Sequence, residues 1–497
     1  MKTNLRTLIL IITLITLFVS AASADDAILN NFVGGRMEMN LSAASQLLSG
    51  PGISSATTAS VTATRSDPFA VFSNPSSWMI VRDGAAVGVS IQPRLAINSV
   101  PGGIQNSVNE SVDQAISGYA QSNSVDYPKL AGSLGRTTNP LASFAVIVPV
   151  QDWRFGAGYS KPFSLDMSAM HDGFTQSVTQ AGDNPAESIS LDLASEMDMN
   201  LNAESHRFLL GAAREYGRWS FGLSASRTSL ELNVNGGYTV DGDVSVGGDS
   251  YSFNNGADSW HNDFGGAIDG SYKGAFYNSQ LGATLQLGSN PETAWTLAAS
   301  ASINIGGNLK GSMEATIDEY LPLSLNDNEA SFDIDRVDDI NQVTRTYENT
   351  YYMGDQLTVE LPSSFSIGIG KPNGLRPNLT LTAYTGNLAY SLDVTEKRVQ
   401  DNDYSTNTYV RGITPKASAY LGFSPGVFFL GGGMTYAEDL VAGYTDDGGA
   451  ELSGGTEVYI PRFDLGMILP LSNNLRCEMM FVGLPEDALR LGFIWEF

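Results

Sequence analysis

The last ten residues of the chain, 488–497, alternate in polarity and end on an aromatic side chain. One face of the extended strand carries Leu489, Leu491, Phe493, Trp495 and Phe497, and the other carries Arg490, Gly492 and Glu496. A terminal strand with so wide an apolar stripe aggregates in water, unless the stripe faces lipid and the strand edge is paired. The pattern predicts the closing strand of an outer-membrane β-barrel.

The start of the chain predicts export. Lys2 and Arg6 precede an apolar run over residues 8–19, which leads into small residues at 22–24 and predicts a signal peptide cleaved before Asp25. No other stretch approaches the roughly twenty apolar residues that a membrane-spanning helix needs. The single cysteine, Cys477, excludes an internal disulfide and a lipid anchor on an N-terminal cysteine.

Composition fits a membrane barrel better than a soluble enzyme. The 52 glycines, 20 tyrosines and 22 phenylalanines suit tight turns, small lumen-facing positions and interfacial aromatic girdles. A mean hydropathy of -0.07 is normal where only alternate residues face lipid. The formal net charge of -26 makes nucleic acid an unsuitable partner.

Strand-like segments and turn signals alternate from residue 84 to the end of the chain. About fourteen alternating segments are separated by short connections, such as Gln151-Asp152 and Ser424-Pro425, and by long polar ones, such as 162–203 and 233–270. Short periplasmic turns and long external loops are typical of bacterial barrels. The sequence therefore predicts an all-β, antiparallel transmembrane barrel in the bacterial outer membrane, with both termini in the periplasm.

Residues 25–83 lack this alternation. A short helix is expected over residues 40–49, ending at Gly50-Pro51. A barrel of about fourteen strands has a lumen wide enough to leak, so a plug is the simplest role for this segment. The predicted organisation is a signal peptide over 1–24, an N-terminal hatch over 25–83 and a barrel over 84–497.

The stretch Asp67–Trp78 resembles the Asn-Pro-Ala region of the FadL-type long-chain fatty acid transporter family. Residues 361–368, Leu-Pro-Ser-Ser-Phe-Ser-Ile-Gly, look like a later strand motif of that family. The resemblance implies a plugged fourteen-stranded barrel that passes hydrophobic molecules without an energy source, and it assigns Asn74 and Pro75 to the hatch motif. Ser76 stands where the family usually has alanine, and the family's ligand-contacting N-terminal tip is not carried over.

Charged residues near the C-terminus fall on the inward face. They are Arg462, Asp464, Arg476, Glu478, Arg490 and Glu496. On adjacent antiparallel strands they form a charged patch, in which an arginine receives the carboxylate head group of a ligand. The alternative is a mutually neutralising ladder that fastens the hatch to the wall.

The third strand contains Gly156 and Gly158 on its predicted lumen side. Glycines at this spacing weaken a strand, and the family resemblance implies a kinked third strand that opens a lateral exit. Simple close packing explains the same two glycines equally well.

Two predicted outer loops carry aromatic and thioether side chains among acids. The residues are Phe163, Met167, Met170 and Phe174 in one loop, and Trp260 and Phe264 in the other. A groove that captures apolar ligands is one reason for such residues, and packing of the loops on each other is the alternative.

Catalysis has little support. The chain has three histidines and no nucleophile motif, and its acidic loop residues lack the spacing of a calcium-binding loop. We therefore expect no enzymatic activity, cofactor or metal, although a barrel hydrolase is a third alternative. The expected function is passive, hatch-gated uptake of long-chain fatty acids or other hydrophobic compounds; a non-transporting assembly or secretion component is the main alternative. Expected partners are outer-membrane lipids, a hydrophobic small molecule and the barrel-assembly machinery.

Overall fold

The fold is described from a computed structural model of the chain. The residues described are 27–33, 36–45, 61–62, 66–81, 84–92, 95–98, 133–136, 141–180, 189–246, 249–253, 264–290, 293–319, 323–326, 329–332, 348–398, 403–442, 452–453, 455–482 and 488–497. The predicted signal peptide lies outside this set. In the described part of the chain, no helix is long and apolar enough to cross a membrane.

Fourteen antiparallel strands close into one barrel. In chain order they are β1 (Ala86–Gln92), β2 (Leu141–Val150), β3 (Trp153–Ser160, continuing as Phe163–Gln180), β4 (Ile189–Tyr216), β5 (Trp219–Val246), β6 (Phe264–Gln286), β7 (Thr296–Ile305, continuing as Gly307–Glu319), β8 (Glu348–Glu360, continuing as Ser363–Gly370), β9 (Asn378–Thr385, continuing as Leu388–Arg398), β10 (Asp403–Phe423), β11 (Phe428–Ala442), β12 (Glu457–Pro470), β13 (Leu475–Val482) and β14 (Ala488–Glu496). β14 pairs with β1, so the ladder has no free edge. The predicted fold class and strand number are confirmed.

Side chains alternate between the two sides of the wall. On β2 the outward Phe144 and Val148 are exposed, whereas the inward Ala145 and Ile147 are completely buried. At the C-terminal end, Leu489, Phe493 and Phe497 of the stripe predicted to face lipid are exposed, and Arg490 on the opposite face is buried. An apolar outer surface of this kind is stable only against lipid.

Several strands are longer than the sequence predicts. β4 and β5 each have 28 residues, and their pairing runs from Trp219↔Tyr216 to Val246↔Ile189. Much of the predicted loops 162–203 and 233–270 is therefore strand. The reason is that a hairpin outside the membrane keeps its backbone hydrogen bonds without needing the apolar alternation that marks a lipid-facing strand.

Two neighbouring strands change their inward face part-way along. On β7 the inward residues are even-numbered up to Asn304 and odd-numbered from Leu309, because Gly306 inserts one residue between the two parts. β8 is interrupted at Leu361-Pro362 with the same effect. The switch sets which side chains line the outer half of the lumen.

The N-terminal residues add two strands to the sheet. Ala27–Val33 and Arg36–Ser45 pair with the continuation of β3, and Arg36–Ser45 also pairs with the strand Leu95–Asn98. The helix expected over residues 40–49 is wrong where the structure describes it, since Asn40 to Ser45 are strand. The alternation Met-Glu-Met-Asn-Leu-Ser within this strand is the signal that the sequence analysis overlooked. The domain boundary at residue 83 stays a prediction.

Candidate functional site

Residues 66–81, named the inner segment here, form two short 3-10 helices. They are Pro68–Phe72 and Pro75–Ile80. Asp67 and Asn74 are the N-caps, and each side chain accepts a backbone hydrogen bond two residues ahead. A proline follows each cap, where its missing N–H costs nothing. The repeated pair of an N-cap and a proline therefore starts two short helices one after the other.

The inner segment lies against the inward faces of the barrel strands. Phe69, Ala70, Val71 and Trp78 are completely buried, and they share one apolar cluster with wall residues such as Ile147, Leu209 and Phe429. Trp78 also donates its ring N–H to the carbonyl of Ala70, 3.0 Å away. Burial of a large aromatic side chain contributes about 1.5–3 kcal/mol, so this packing holds the segment in the lumen.

A row of inward glycines makes room for the segment. The row comprises Gly88 on β1, Gly156 and Gly158 on β3, Gly211 on β4, Gly222 on β5 and Gly282 on β6. A Cβ atom at Gly222 would lie 2.4 Å from the backbone of Pro75, and one at Gly282 would lie 1.9 Å from the side-chain oxygen of Asn74. Gly222 thus allows a close approach of backbone to backbone, whereas glycines such as Gly88 and Gly156 make room for the side chains of the segment.

Asn74 is the centre of a buried hydrogen-bond network. Its amide donates to the carbonyl of Val61 at 2.8 Å, and its side-chain oxygen accepts from the backbone N–H and hydroxyl of Ser76 at 3.1 and 2.9 Å. The Ser76 hydroxyl also lies 2.6 Å from Thr284 on β6, and Ser220 on β5 donates to the Ser76 carbonyl. Serine in place of alanine thus adds a polar contact with the wall. Buried polar groups that are satisfied in this way fix one arrangement.

Two arginines hold the ends of the inner segment. Arg154 on β3 donates to the carbonyl of Val81 at 2.5 Å, and Arg476 on β13 donates to the carbonyl of Ser66. Both wall residues are inward-facing and largely buried. Hydrogen bonds from a charged donor are stronger than neutral ones, so these contacts fasten both ends.

The structure brings the predicted charged patch together as a set of paired groups. Arg462 contacts Asp464 at 3.0 Å, and Tyr420 donates to the same carboxylate at 2.8 Å. Arg476 contacts Glu478 and Glu496, and Arg490 donates to Gln92 on β1 at 3.1 Å. This geometry matches the neutralising-ladder alternative. The head-group role of Arg462, Arg476 and Arg490 stays a prediction.

Gly156 and Gly158 lie in a continuous ladder. They pair with Ile147 and Ala145 on one side, and with Gly211 and Leu209 on the other. The interruption of β3 lies further along, at Lys161-Pro162, between Ser160 and Phe163. The two glycines face Trp78, Val71 and Phe72 of the inner segment. This arrangement is the one that the close-packing alternative describes. Their role in a lateral opening stays a prediction.

The residues of the expected capture groove are partly on strands. Phe163, Met167, Met170 and Phe174 belong to the continuation of β3, which pairs with β4, so their assignment to a loop is wrong. Phe264 is the first residue of β6. Trp260 lies outside the described residues. Ligand capture by these side chains stays a prediction.

Arg207, an inward residue of β4, is a further candidate that no local sequence pattern marks. Its guanidinium donates to Ser226 at 3.1 Å and to Asn278 at 3.4 Å, and it lies 5.6 Å from the ring centre of Phe72. Among the described residues it has no carboxylate partner. Ser160, directly opposite on β3, is buried, and its hydroxyl has no hydrogen-bond partner in the described part of the structure. A partly buried cation beside a buried hydroxyl without a partner is able to receive an anionic oxygen.

An apolar cluster lines the outer half of the lumen next to Arg207. Its buried members are Tyr272, Phe276, Leu309 and Leu357, with Leu230, Leu232, Met313, Val359, Leu361 and Leu392 packed around them. Arg207 pairs with Thr228, and Thr228 pairs with Phe276, so the arginine and this cluster share one row of the wall. At about 4.8 Å per strand, the head of a ligand on Arg207 and its tail on Phe276 are within reach of each other.

The chain has no match among protein-family models or curated proteins. It is similar to solved structures described as the toluene transporters TbuX of Ralstonia pickettii and TodX of P. putida, and as a Pseudomonas aeruginosa FadL homologue. The TbuX comparison has 10% identity and a TM-score of 0.43, and covers 91% of this chain and 97% of the other. The TodX comparison has 13% identity and a TM-score of 0.43, and covers 91% of this chain and 99% of the other. The comparison with the FadL homologue has 12% identity and a TM-score of 0.44, and covers 95% of this chain and 100% of the other.

The described residues hold no group of three or more histidine, cysteine or acidic side chains that could bind a metal ion. The matched structures named above are described as toluene transporters or as a FadL homologue.

Proposed function

We propose that the protein passes hydrophobic compounds that carry an acid group, such as long-chain fatty acids, across an outer membrane without an energy source. The observation that carries this proposal is Arg207, a partly buried lumen cation without a carboxylate partner in the described chain. A barrel with an apolar outer surface belongs in a membrane, and strands of this kind are typical of the outer membrane.

The lumen has the two chemistries that such a ligand needs. The apolar cluster around Phe276 suits an alkyl chain, because aromatic and aliphatic side chains line most small-molecule sites. Arg207 suits the carboxylate, because its planar fork donates two parallel hydrogen bonds. The toluene transporters that resemble this chain are described with an uncharged ligand, so the acid group is the distinguishing element of the proposal.

The inner segment is proposed to gate this route. It packs on the inward faces of the strands next to Arg207, and its Phe72 ring lies 5.6 Å from the guanidinium. Arrival of a ligand carboxylate at Arg207 competes with this ring contact, which couples binding to movement of the segment. The gate would open by loss of the packing of Phe72 and Trp78 on the glycine row.

Replacing Arg207 with glutamine is expected to weaken binding of a long-chain fatty acid. Hydrogen bonds to charged groups contribute about 1.5–3 kcal/mol, which corresponds to a loss of roughly tenfold to a hundredfold in affinity. The measurement is fluorescence titration of the purified barrel with a fatty acid and with the fatty alcohol of equal chain length. Only the affinity for the acid should fall, and the affinity for the alcohol should stay the same.

Arg227→Gln is the matched control, because Arg227 lies on the neighbouring strand but faces outward. It should bind acid and alcohol as the unchanged protein does. Equal binding of the acid by Arg207→Gln and the unchanged protein would contradict the head-group assignment. An equal loss for acid and alcohol would also contradict it, since that result means a general disturbance of the lumen.

A further inference from the structure

Arg214 is a cation on the lipid-facing side of the barrel. It lies near the end of β4, three residues before the tight turn at Gly217, and its partners across the ladder are Trp153 on β3 and Phe221 on β5. Both partners are exposed on the outer surface. A charged residue beside lipid-facing aromatics is tolerated where its N–H donors reach a polar partner, so the surroundings of Arg214 decide what it binds.

Two aromatic rings form a cradle for this guanidinium. Its central carbon lies 5.2 Å from the ring centre of Trp153 and 4.7 Å from that of Tyr216. Its Nε atom is buried and has no hydrogen-bond partner among the described residues, and no described carboxylate forms an ion pair with the side chain. Cation–π contacts stabilise the charge over the ring faces but use none of the N–H donors.

The cradle lies at the height of the lipid head groups. Exposed aromatic residues surround the short-turn end of the barrel: Trp153, Tyr216, Trp219, Trp295, Phe428 and Phe497. Such a girdle marks the boundary between hydrocarbon and water. Short turns are on the periplasmic side of a bacterial barrel, so the leaflet at this height is the periplasmic one.

We infer that Arg214, held between Trp153 and Tyr216, binds the phosphodiester of a phospholipid in the periplasmic leaflet. The rings fix the plane of the guanidinium, and its edge N–H groups point away from them to donate to phosphate oxygens. A free anion from the periplasm is a weaker fit, because the exposed rings of Trp153 and Tyr216 offer apolar surface that acyl chains cover and a free anion does not. This inference stands apart from the proposed transport function, since the site is outside the lumen.

The test uses the full-length barrel, stripped of lipid in detergent and titrated with phosphatidylglycerol, with bound lipid counted by native mass spectrometry. Arg214→Gln should reduce phosphatidylglycerol occupancy about tenfold at a fixed lipid concentration, because it removes the charged donors. Tyr216→Leu keeps the charge and removes one ring, and should reduce occupancy less. Arg218→Gln, in the adjacent exposed turn, is the control and should bind lipid as the unchanged protein does.

Two further probes test whether the site needs a phosphate and whether that phosphate must belong to a lipid. Diacylglycerol, which has the same tails and no phosphate, should not compete for the site, and inorganic phosphate should not displace the lipid. Unchanged occupancy in Arg214→Gln overturns the inference. So does an equal loss in Arg218→Gln, which means diffuse charge attraction, or displacement by inorganic phosphate, which means a free-anion site.

Discussion

Replacing Gly222 with valine should turn a closed barrel into an open pore. A Cβ atom at this position would lie 2.4 Å from the backbone carbon of Pro75 and 2.6 Å from the backbone nitrogen of Ser76. Backbone atoms cannot rotate away as the end of a side chain does, so the inner segment must leave the wall. Planar-bilayer conductance should rise several-fold over the unchanged protein, toward that of a deletion of residues 25–76.

Gly432→Val on β11 is the control for this experiment. Gly432 faces outward, and the nearest atom to a Cβ there is 3.7 Å away, which is an ordinary contact. The conductance of the Gly432→Val barrel should stay at the level of the unchanged protein. Its resistance to heat in detergent should stay the same or rise, because valine has a higher β-propensity than glycine. If Gly222→Val and the 25–76 deletion both conduct like the unchanged protein, the inner segment is not what closes the pore.

Replacing Gly84 with alanine is expected to prevent proper closure of the barrel. Gly84 has a φ of 77°, and a Cβ atom there would lie 1.3 Å from the carbonyl oxygen of Phe497. The terminal strand is held at this point by the hydrogen bond from the Phe497 N–H to the Ala85 carbonyl, 2.9 Å long. The collision should break this bond and separate the ends of β14 and β1, so much less barrel should reach the heat-modifiable, folded form on SDS gels.

Gly217→Ala separates this clash from backbone strain. Gly217 also has a positive φ, 64°, but no atom lies within 4 Å of an added Cβ. Alanine there carries only the conformational cost of about 1–2 kcal/mol, which a closed barrel tolerates. Equal folded yields for the Gly84 and Gly217 variants would show that the close approach of the chain terminus has no part in closure.

The sequence determined the wall of the barrel well. The short connections predicted at Gln151-Asp152 and Ser424-Pro425 lie between β2 and β3 and between β10 and β11 in the structure. The reason is that lipid imposes a strict two-residue period on each strand, and Gly217 or Ser424-Pro425 ends a strand by local turn chemistry. Both signals are contained in a few neighbouring residues. Outside the membrane the period is no longer imposed, and the ends of β4 and β5 were correspondingly missed.

Only the tertiary structure decided what the inward residues contact. Gly222 and Gly156 have the same local sequence signal as any barrel glycine. Their role is to make room for Pro75 and Trp78, which are far away in the chain. In the sequence, Arg207 is one charge among many. Its neighbours Ser160, Ser226 and Asn278 come from three other strands, and only the structure brings them together. Alternation fixes the side of the wall on which a residue lies, because it is a property of one strand. The partners across the lumen depend on strand register, on insertions such as Gly306 and on the path of the inner segment, which no short stretch of sequence contains.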